Sequence, residues 1–251
     1  MANDKLYRTE AIVIRRRNMG EADKILTVYT PNKGKLNLVA KGVRRTTSRM
    51  GGHLELFMQC NLMVAKGRSL DLITQSETVS AFPNLRNNLG LIAYTWQGVE
   101  LLDRLTEEDL ENYPVFTLLS EFLGALEVGH DPIIISRAYE LHLLGYLGYR
   151  PQLIRCVRCN EEIQPVINFF SPEMGGVLCP ACGKIERRSI EVSIDAMKIL
   201  RYLQKTTFAT GPRLLLKPEL RNELEHIMRS YTRYLLERDL KSAEFVHNVT
   251  S

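Results

Sequence analysis

Four of the five cysteines in this chain stand as two C-x2-C pairs, Cys156-Val157-Arg158-Cys159 and Cys179-Pro180-Ala181-Cys182, with nineteen residues between them. Few folds accommodate that pattern, because each pair is a tight turn that delivers two thiolates to one point. The spacing falls in the range of structural zinc sites. Four soft ligands fill a tetrahedral shell and leave no position for a water, so the expectation is one structural Zn²⁺ held by Cys156, Cys159, Cys179 and Cys182. Two disulfides or four unrelated thiols are the competing readings. The fifth cysteine, Cys60, sits in an apolar run and reads as a small buried residue.

A cysteine pattern that reads as metal ligation places the chain in a reducing cytoplasm. No signal-like stretch follows Met1, and no apolar run approaches the ~18 residues of a membrane helix. The 251 residues, 45% hydrophobic and 25% charged, suit one large globular domain or two ordinary ones. Charge is divided unevenly. Residues 1–80 carry 14 Lys/Arg against 7 Asp/Glu, residues 81–150 carry 4 against 10, and residues 151–251 carry 15 against 12. A basic first segment beside an acidic middle predicts two units with different partners, the first partner polyanionic.

Residues 7–80 read as five short strands: Thr9–Ile14, Ile25–Thr30, Leu36–Ala40, Phe57–Ala65 and Leu70–Glu77. That density fits a small closed barrel, of which the five-stranded OB-fold is the commonest nucleic-acid-binding form; an SH3-like barrel or a small sandwich would look similar. After Pro83 the apolar period becomes helical, with stripes through Leu85–Leu102, Val115–Leu126 and Ile134–Leu144. Asp131-Pro132 opens the third helix as a cap followed by proline. Two more helices follow Ser193 and Lys217-Pro218. The fold class is therefore α+β and multidomain: an OB-fold β-barrel at 1–80, then an all-helical domain at 81–251 carrying an inserted four-cysteine zinc module at 150–190.

The first segment's cations cluster. Arg15-Arg16-Arg17 ends the first strand, Lys35 follows the Asn32-Lys33-Gly34 turn, and Lys41, Arg44, Arg45 and Arg49 share one loop with Thr46, Thr47 and Ser48. Lys and Arg neutralise phosphates, and hydroxyls near glycine bond phosphate oxygens. The expected DNA-binding set is Arg15, Arg16, Arg17, Lys35, Lys41, Arg44, Arg45 and Arg49. Aromatic platforms for bases are few, with Tyr7, Tyr29 and Phe57 nearest, so binding should rest mainly on backbone charge.

Gly20-Glu21-Ala22-Asp23-Lys24-Ile25-Leu26, Thr30, Gly34-Lys35 and Leu38-Val39-Ala40-Lys41-Gly42-Val43-Arg44-Arg45 together resemble the N-terminal signature of the bacterial RecO family of recombination mediators. Glu140-Leu141-His142-Leu143-Leu144-Gly145-Tyr146-Leu147-Gly148-Tyr149, followed by the paired cysteines, is similar to the same family further on. The resemblance implies an OB-fold domain, then an all-helical domain with the zinc module. It also implies binding of single- and double-stranded DNA and annealing of complementary strands. With RecR, such proteins help load RecA onto DNA coated by single-stranded DNA-binding protein (SSB). It further implies that the acidic SSB tail docks at Arg137, with Leu141 and Leu144 as pocket walls. A plain surface arginine balancing Glu140 is the alternative.

An enzyme is the rival class. His53-Leu54-Glu55 with a C-x-x-C is similar to the zinc deaminase signature, but the proline follows Cys179 instead of preceding it, and Cys156 and Cys159 complete the metal shell without His53. No P-loop, nucleophile elbow or G-x-G-x-x-G is present. The chain therefore reads as non-enzymatic. The remaining alternative is a zinc-ribbon transcription regulator that touches DNA through Arg155, Arg158, Lys184, Arg187 and Arg188 around the cysteines.

Overall fold

The computed structural model describes residues 5–48, 50–206, 214–237 and 239–250, without the side chains of 244, 247 and 250. Arg49 lies outside the described residues. Two compact units result: Met1–Asn88 with Thr106–Glu127, and Leu89–Leu105 with Val128–Ser251.

In the first unit β1 (Leu6–Met19), β2 (Asp23–Thr30), β3 (Gly34–Ala40), β4 (Gln59–Ala65) and β5 (Asp71–Ser80) close a barrel in the order β1-β2-β3-β5-β4. β1 is antiparallel to both β2 and β4, and β3 closes on β5 in parallel. This is the OB arrangement, and it excludes the SH3-like and sandwich readings. Its first strand is longer than the expected Thr9–Ile14. A register shift between Val13 and Arg15 bends it so that one strand serves both partners. Alternation turns Ala11, Val13, Leu26, Val28, Leu36, Leu38, Ala40, Cys60, Leu62, Val64 and Ile73 into the barrel core.

The opposite parity is informative. Ile12, Ile14 and Tyr29 point away from that core yet are buried. Helix α3 (Tyr113–Glu127) packs against β2, and Ser120 Oγ donates to Gln59 Oε1 of β4 at 2.9 Å. The segment leading into α3 lies along β3. Lys35 pairs with Glu108 in a parallel bridge, Asp109 N donates to Lys35 O at 3.0 Å, and a Cβ on Gly34 would sit 2.0 Å from Leu110 O. Gly34 also holds φ +58, so no other residue suits both the turn and the close approach. These contacts group residues 106–127 with the barrel, so the compact units differ from a simple cut at residues 80–83.

The expected first helix is two. α1 (Pro83–Asn87) ends at Asn88, which is extended with φ −113 and ψ 114, and α2 (Leu89–Leu105) begins anew. The break rotates the buried face onto Ala93, Tyr94, Val99, Leu101 and Leu102, and leaves Leu89 exposed.

The second unit holds α2, α4 (Pro132–Tyr146), β6 (Asn168–Ser171), β7 (Gly176–Leu178), α5 (Pro180–Gly183), β8 (Ile190–Val192), α6 (Ile194–Leu203), α7 (Pro218–Leu236) and α8 (Lys241–Thr250). Asp131 caps α4 as expected, accepting from Ile133 N and Ile134 N, and its other oxygen takes Arg221 of α7 at 2.8 Å. Neither the three-stranded sheet β7-β6-β8 nor α8 was expected from the sequence. Among the described residues no helix is long and apolar enough to cross a membrane.

Candidate nucleic-acid interface and metal centre

The cysteines converge. The Sγ atoms of Cys156, Cys159, Cys179 and Cys182 all lie within 4.8 Å of one another, and among the described residues no histidine or carboxylate joins them. Cys159 Sγ and Cys179 Sγ are 3.8 Å apart. Zinc–sulfur bonds of ~2.3 Å at tetrahedral angles put neighbouring sulfurs about 3.8 Å apart, so the cluster could hold a metal ion of that kind. A disulfide needs ~2.05 Å, and all five cysteines are free.

Each pair is shaped by local backbone. Asn160, with φ +63, closes the first knuckle by donating its N–H to Cys156 O at 2.9 Å. In α5 Gly183 N donates to Cys179 O at 2.8 Å, and Gly183 is required because a Cβ there would lie 2.1 Å from the Phe169 ring. Burial alone would push the Cys156 thiol up, but backbone N–H groups of Cys159, Cys179 and Arg158 bring it down to about 6, while hydrogen bonds among the same sulfurs help to push the Cys159 and Cys182 thiols up. The module is tied to the helices by Arg201 Nε to Leu153 O (2.8 Å), Gln204 Nε2 to Pro151 O (2.9 Å) and Tyr231 OH to Tyr149 O (2.9 Å). Phe170 meets Tyr231 edge to face at 5.4 Å.

In the barrel, two loops far apart in sequence meet. Arg44 N donates to Ala22 O (2.9 Å), Arg44 Nη1 to Gly20 O (3.1 Å) and Gly42 N to Asp23 Oδ1 (2.7 Å). Arg17, Lys41, Arg44 and Arg45 are all exposed. Arg15 is exposed too, its Nε donating to Thr27 Oγ1. Arg16 is half-buried and paired with Glu55, which also takes Lys24 at 3.6 Å. His53 of the deaminase-like triplet bonds Thr78 Oγ1.

Lys35 has a different environment from its expected partners. It is 8% exposed and donates to Thr106 O at 2.7 Å, so it anchors the segment over β3 rather than meeting solvent. The outer face of strands two and three, which OB barrels generally use for oligonucleotides, is here covered by α3 and that segment. Open cations also stand on the turn between β4 and β5, where Lys66 and Arg68 are exposed. That turn corresponds to another OB ligand loop, a signal available once the topology is known.

Arg137, Leu141 and Leu144, expected at a peptide-docking surface, are 3%, 1% and 0% exposed. They face inward because α4 is buried along most of its length between its neighbours. Arg137 bonds Glu140 at 2.8 Å and Gln97 Oε1 of α2 at 3.2 Å. Arg137 Nε and Nη1, Glu140 Oε2 and Ser136 Oγ find no hydrogen-bond partner among the described residues. Each such group costs roughly 1–3 kcal/mol if left unpaired. Burial, with Glu225 adding to it and Arg137 opposing it, pushes the Glu140 carboxyl up to about 7.

Residues 1–82 match the family described as recombination protein O N terminal, and residues 86–244 match recombination protein O C terminal. The chain is 44% identical over 246 residues to a DNA repair protein RecO of Roseiflexus, covering 98% of this chain and 87% of that one. It is 38% identical to RecO proteins of Dehalococcoides mccartyi, with coverage of 94% and 93%, and of Pelotomaculum thermopropionicum, with 96% and 94%. Two domain matches in order, with relatives at this identity over nearly the whole length, make the chain a member of the RecO family, with a role in recombinational DNA repair.

Proposed function

We propose that this protein is a non-enzymatic recombination mediator. It binds single- and double-stranded DNA at the loop end of its barrel and anneals complementary strands. With RecR it helps place RecA on SSB-coated strands. The observation that carries the DNA site is the joining of the β1–β2 and β3–β4 loops through Arg44 and Gly42, which gathers exposed Arg17, Lys41, Arg44 and Arg45. Arg49 belongs to the same loop in sequence, and Lys66 and Arg68 extend the positive surface. Arg15 and Arg16 stand at its border, and Lys35 supports it from beneath. The acidic SSB tail docks at the Arg137 end of the helical unit, beside Leu141 and Leu144. One structural Zn²⁺ occupies the four-cysteine cluster, where it fixes the module without taking part in chemistry.

Four to six phosphate contacts give a log–log salt slope of roughly −3 to −4 on single strands, at about −0.7 per contact. Fluorescence anisotropy with single-stranded oligonucleotides from low to moderate salt measures it. Arg44→Glu with Arg45→Glu should weaken binding at every sequence and flatten the slope by about 1.4. A shallow wild-type slope would refute the barrel-centred site. The zinc-ribbon regulator reading predicts instead that Arg187→Glu with Arg188→Glu abolishes binding. Two of its cations are already engaged, Arg158 with Glu186 and Arg155 with Asn160 O.

A further inference from the structure

The four cysteines are not equivalent toward solvent. Cys159 is exposed and Cys179 half-buried, whereas Cys156 and Cys182 are 2% and 9% exposed. Each knuckle lies with one side against the three-stranded sheet. Val157 N donates to Val177 O at 2.9 Å, and a Cβ on Gly176 would come within 2.6 Å of Val157 Cγ1. Gly183 of the second knuckle sits as tightly on Phe169 of β6. The cysteines next to these contacts, Cys156 and Cys182, are the covered ones.

Each knuckle is therefore left with one accessible thiol, and the two accessible thiols belong to different knuckles. Cys159 Sγ and Cys179 Sγ stand 3.8 Å apart. A disulfide between them requires an approach of about 1.8 Å, from that separation to ~2.05 Å. Such a bond ties the knuckles to each other, where a bond inside either C-x2-C would close that knuckle on itself. Arg158 of the first knuckle also meets Glu186, beyond the second, at 3.2 Å, a link that does not depend on a metal.

We propose that Cys159 and Cys179 form an oxidation site, at which a peroxide joins them as a disulfide, the ion is released and the module stays closed. The proposal rests on the reading that the four cysteines hold one zinc ion. Cys159 Sγ, as thiolate, attacks one oxygen of hydrogen peroxide; the O–O bond breaks and hydroxide leaves, giving a sulfenic acid. Cys179 Sγ, also a thiolate, then attacks that sulfur; the S–S bond forms, the S–O bond breaks and a second hydroxide leaves. The two thiolates give up two electrons, the peroxide accepts both, and two protons from solvent turn the hydroxides into water. Only Cys156 and Cys182 then remain to the ion, half of its shell, and it is no longer retained. A thiol reductant reverses the bond and restores the shell.

The test treats the zinc-loaded full chain with hydrogen peroxide and follows release of the ion with a chromogenic chelator. Digestion with trypsin and Glu-C puts Cys156, Cys159 and Cys179 on different peptides, cut at Arg158, Glu161, Glu162 and Glu173, so mass spectrometry can place the bond. Zinc should leave as the Cys159–Cys179 link appears, and thiol with added zinc should return the starting state. The oxidised chain should melt above the chelated, reduced chain, since its knuckles remain joined. Cys159→His supplies another ligand that zinc accepts, and should keep the ion yet release it several-fold more slowly. If that variant does not bind zinc, the disulfide map of the unaltered chain still decides. A bond within either knuckle, or zinc retained until the methionines begin to gain oxygen, overturns the proposal. So does an oxidised chain that melts no higher than the chelated one. A chain that carries no zinc before peroxide is added removes the zinc reading and the proposal with it.

Discussion

Two carboxylates show how single residues set the behaviour of the charged sites. Glu55 neutralises both Arg16 and Lys24, groups 33% and 17% exposed at the side chain, and so imitates a phosphate at the border of the basic loops. Half-exposed pairs of this kind contribute ~0–1 kcal/mol. Glu55→Gln should therefore leave the urea midpoint nearly unchanged while raising oligonucleotide affinity several-fold at low salt. A fall in affinity would mean that Glu55 serves to shape the loop. Glu140 is the opposite case, fully enclosed with Arg137. Breaking a buried pair from one side costs about 3–5 kcal/mol, whereas replacing both partners with apolar groups is often neutral or better. Arg137→Met and Glu140→Leu should each destabilise by that amount, and the double change should recover most of it in urea unfolding. Because Glu140 titrates near 7 in the folded chain against 4.5 as its ordinary value, the fold holds a proton that the unfolded chain has lost. Its contribution to stability is present below pH 4.5 and is lost as pH rises through about 7. The fall in stability between about pH 4.5 and 7 should flatten in the double variant.

At the scale of elements, the zinc-type cysteine module carries the clearest dependence. Its sheet is three strands of three or four residues each, with Phe170, Val177, Leu178 and Val192 as the buried apolar set. That is too little to fold alone, and a structural metal commonly supplies the missing free energy. One zinc per chain is the expected content by elemental analysis. Chelation or Cys156→Ser should lower the melting temperature of the helical unit and expose Tyr231 and Phe170, which hold the module to α7. With DNA on the proposed barrel site, oligonucleotide affinity should change little. Equal loss of both would show that the metal supports the DNA site directly. The helix α3 and the segment before it have a comparable element-level role in closing the face of β2 and β3.

For the whole molecule, the uneven charge along the chain corresponds to a real partition of structure. The basic first segment forms the barrel. Part of the acidic middle, Glu107 to Glu111, runs beside β3, where Glu108 Oε1 accepts from Asn37 Nδ2 at 2.5 Å. The alternation of Leu36, Leu38 and Ala40, the helical stripes after Pro83, the Asp131 cap and the cysteine spacing were all legible in one dimension, because each depends on neighbours within a few residues. The same local logic identified the loop arginines, whose exposure follows from their place in a turn. It could not reach Lys35 or Arg137, whose surroundings are made by segments tens of residues away: Thr106 O for the first, Gln97 of α2 for the second.

The break at Asn88 and the helix α8 were hidden for a related reason. A stripe of Leu85, Leu89 and Ile92 is continuous in sequence, and only packing decides that Leu89 faces solvent. The sequence alone determined the barrel-plus-helices class, the cysteine quartet and the positive loops, since period, turn chemistry and ligand spacing are local properties. Tertiary structure alone decided that the four sulfurs come within 4.8 Å and that the usual ligand face of the barrel is closed. It also decided that the arginine of the helical unit is buried against Gln97 of α2 and Glu140, because burial and convergence belong to contacts the chain makes only when folded.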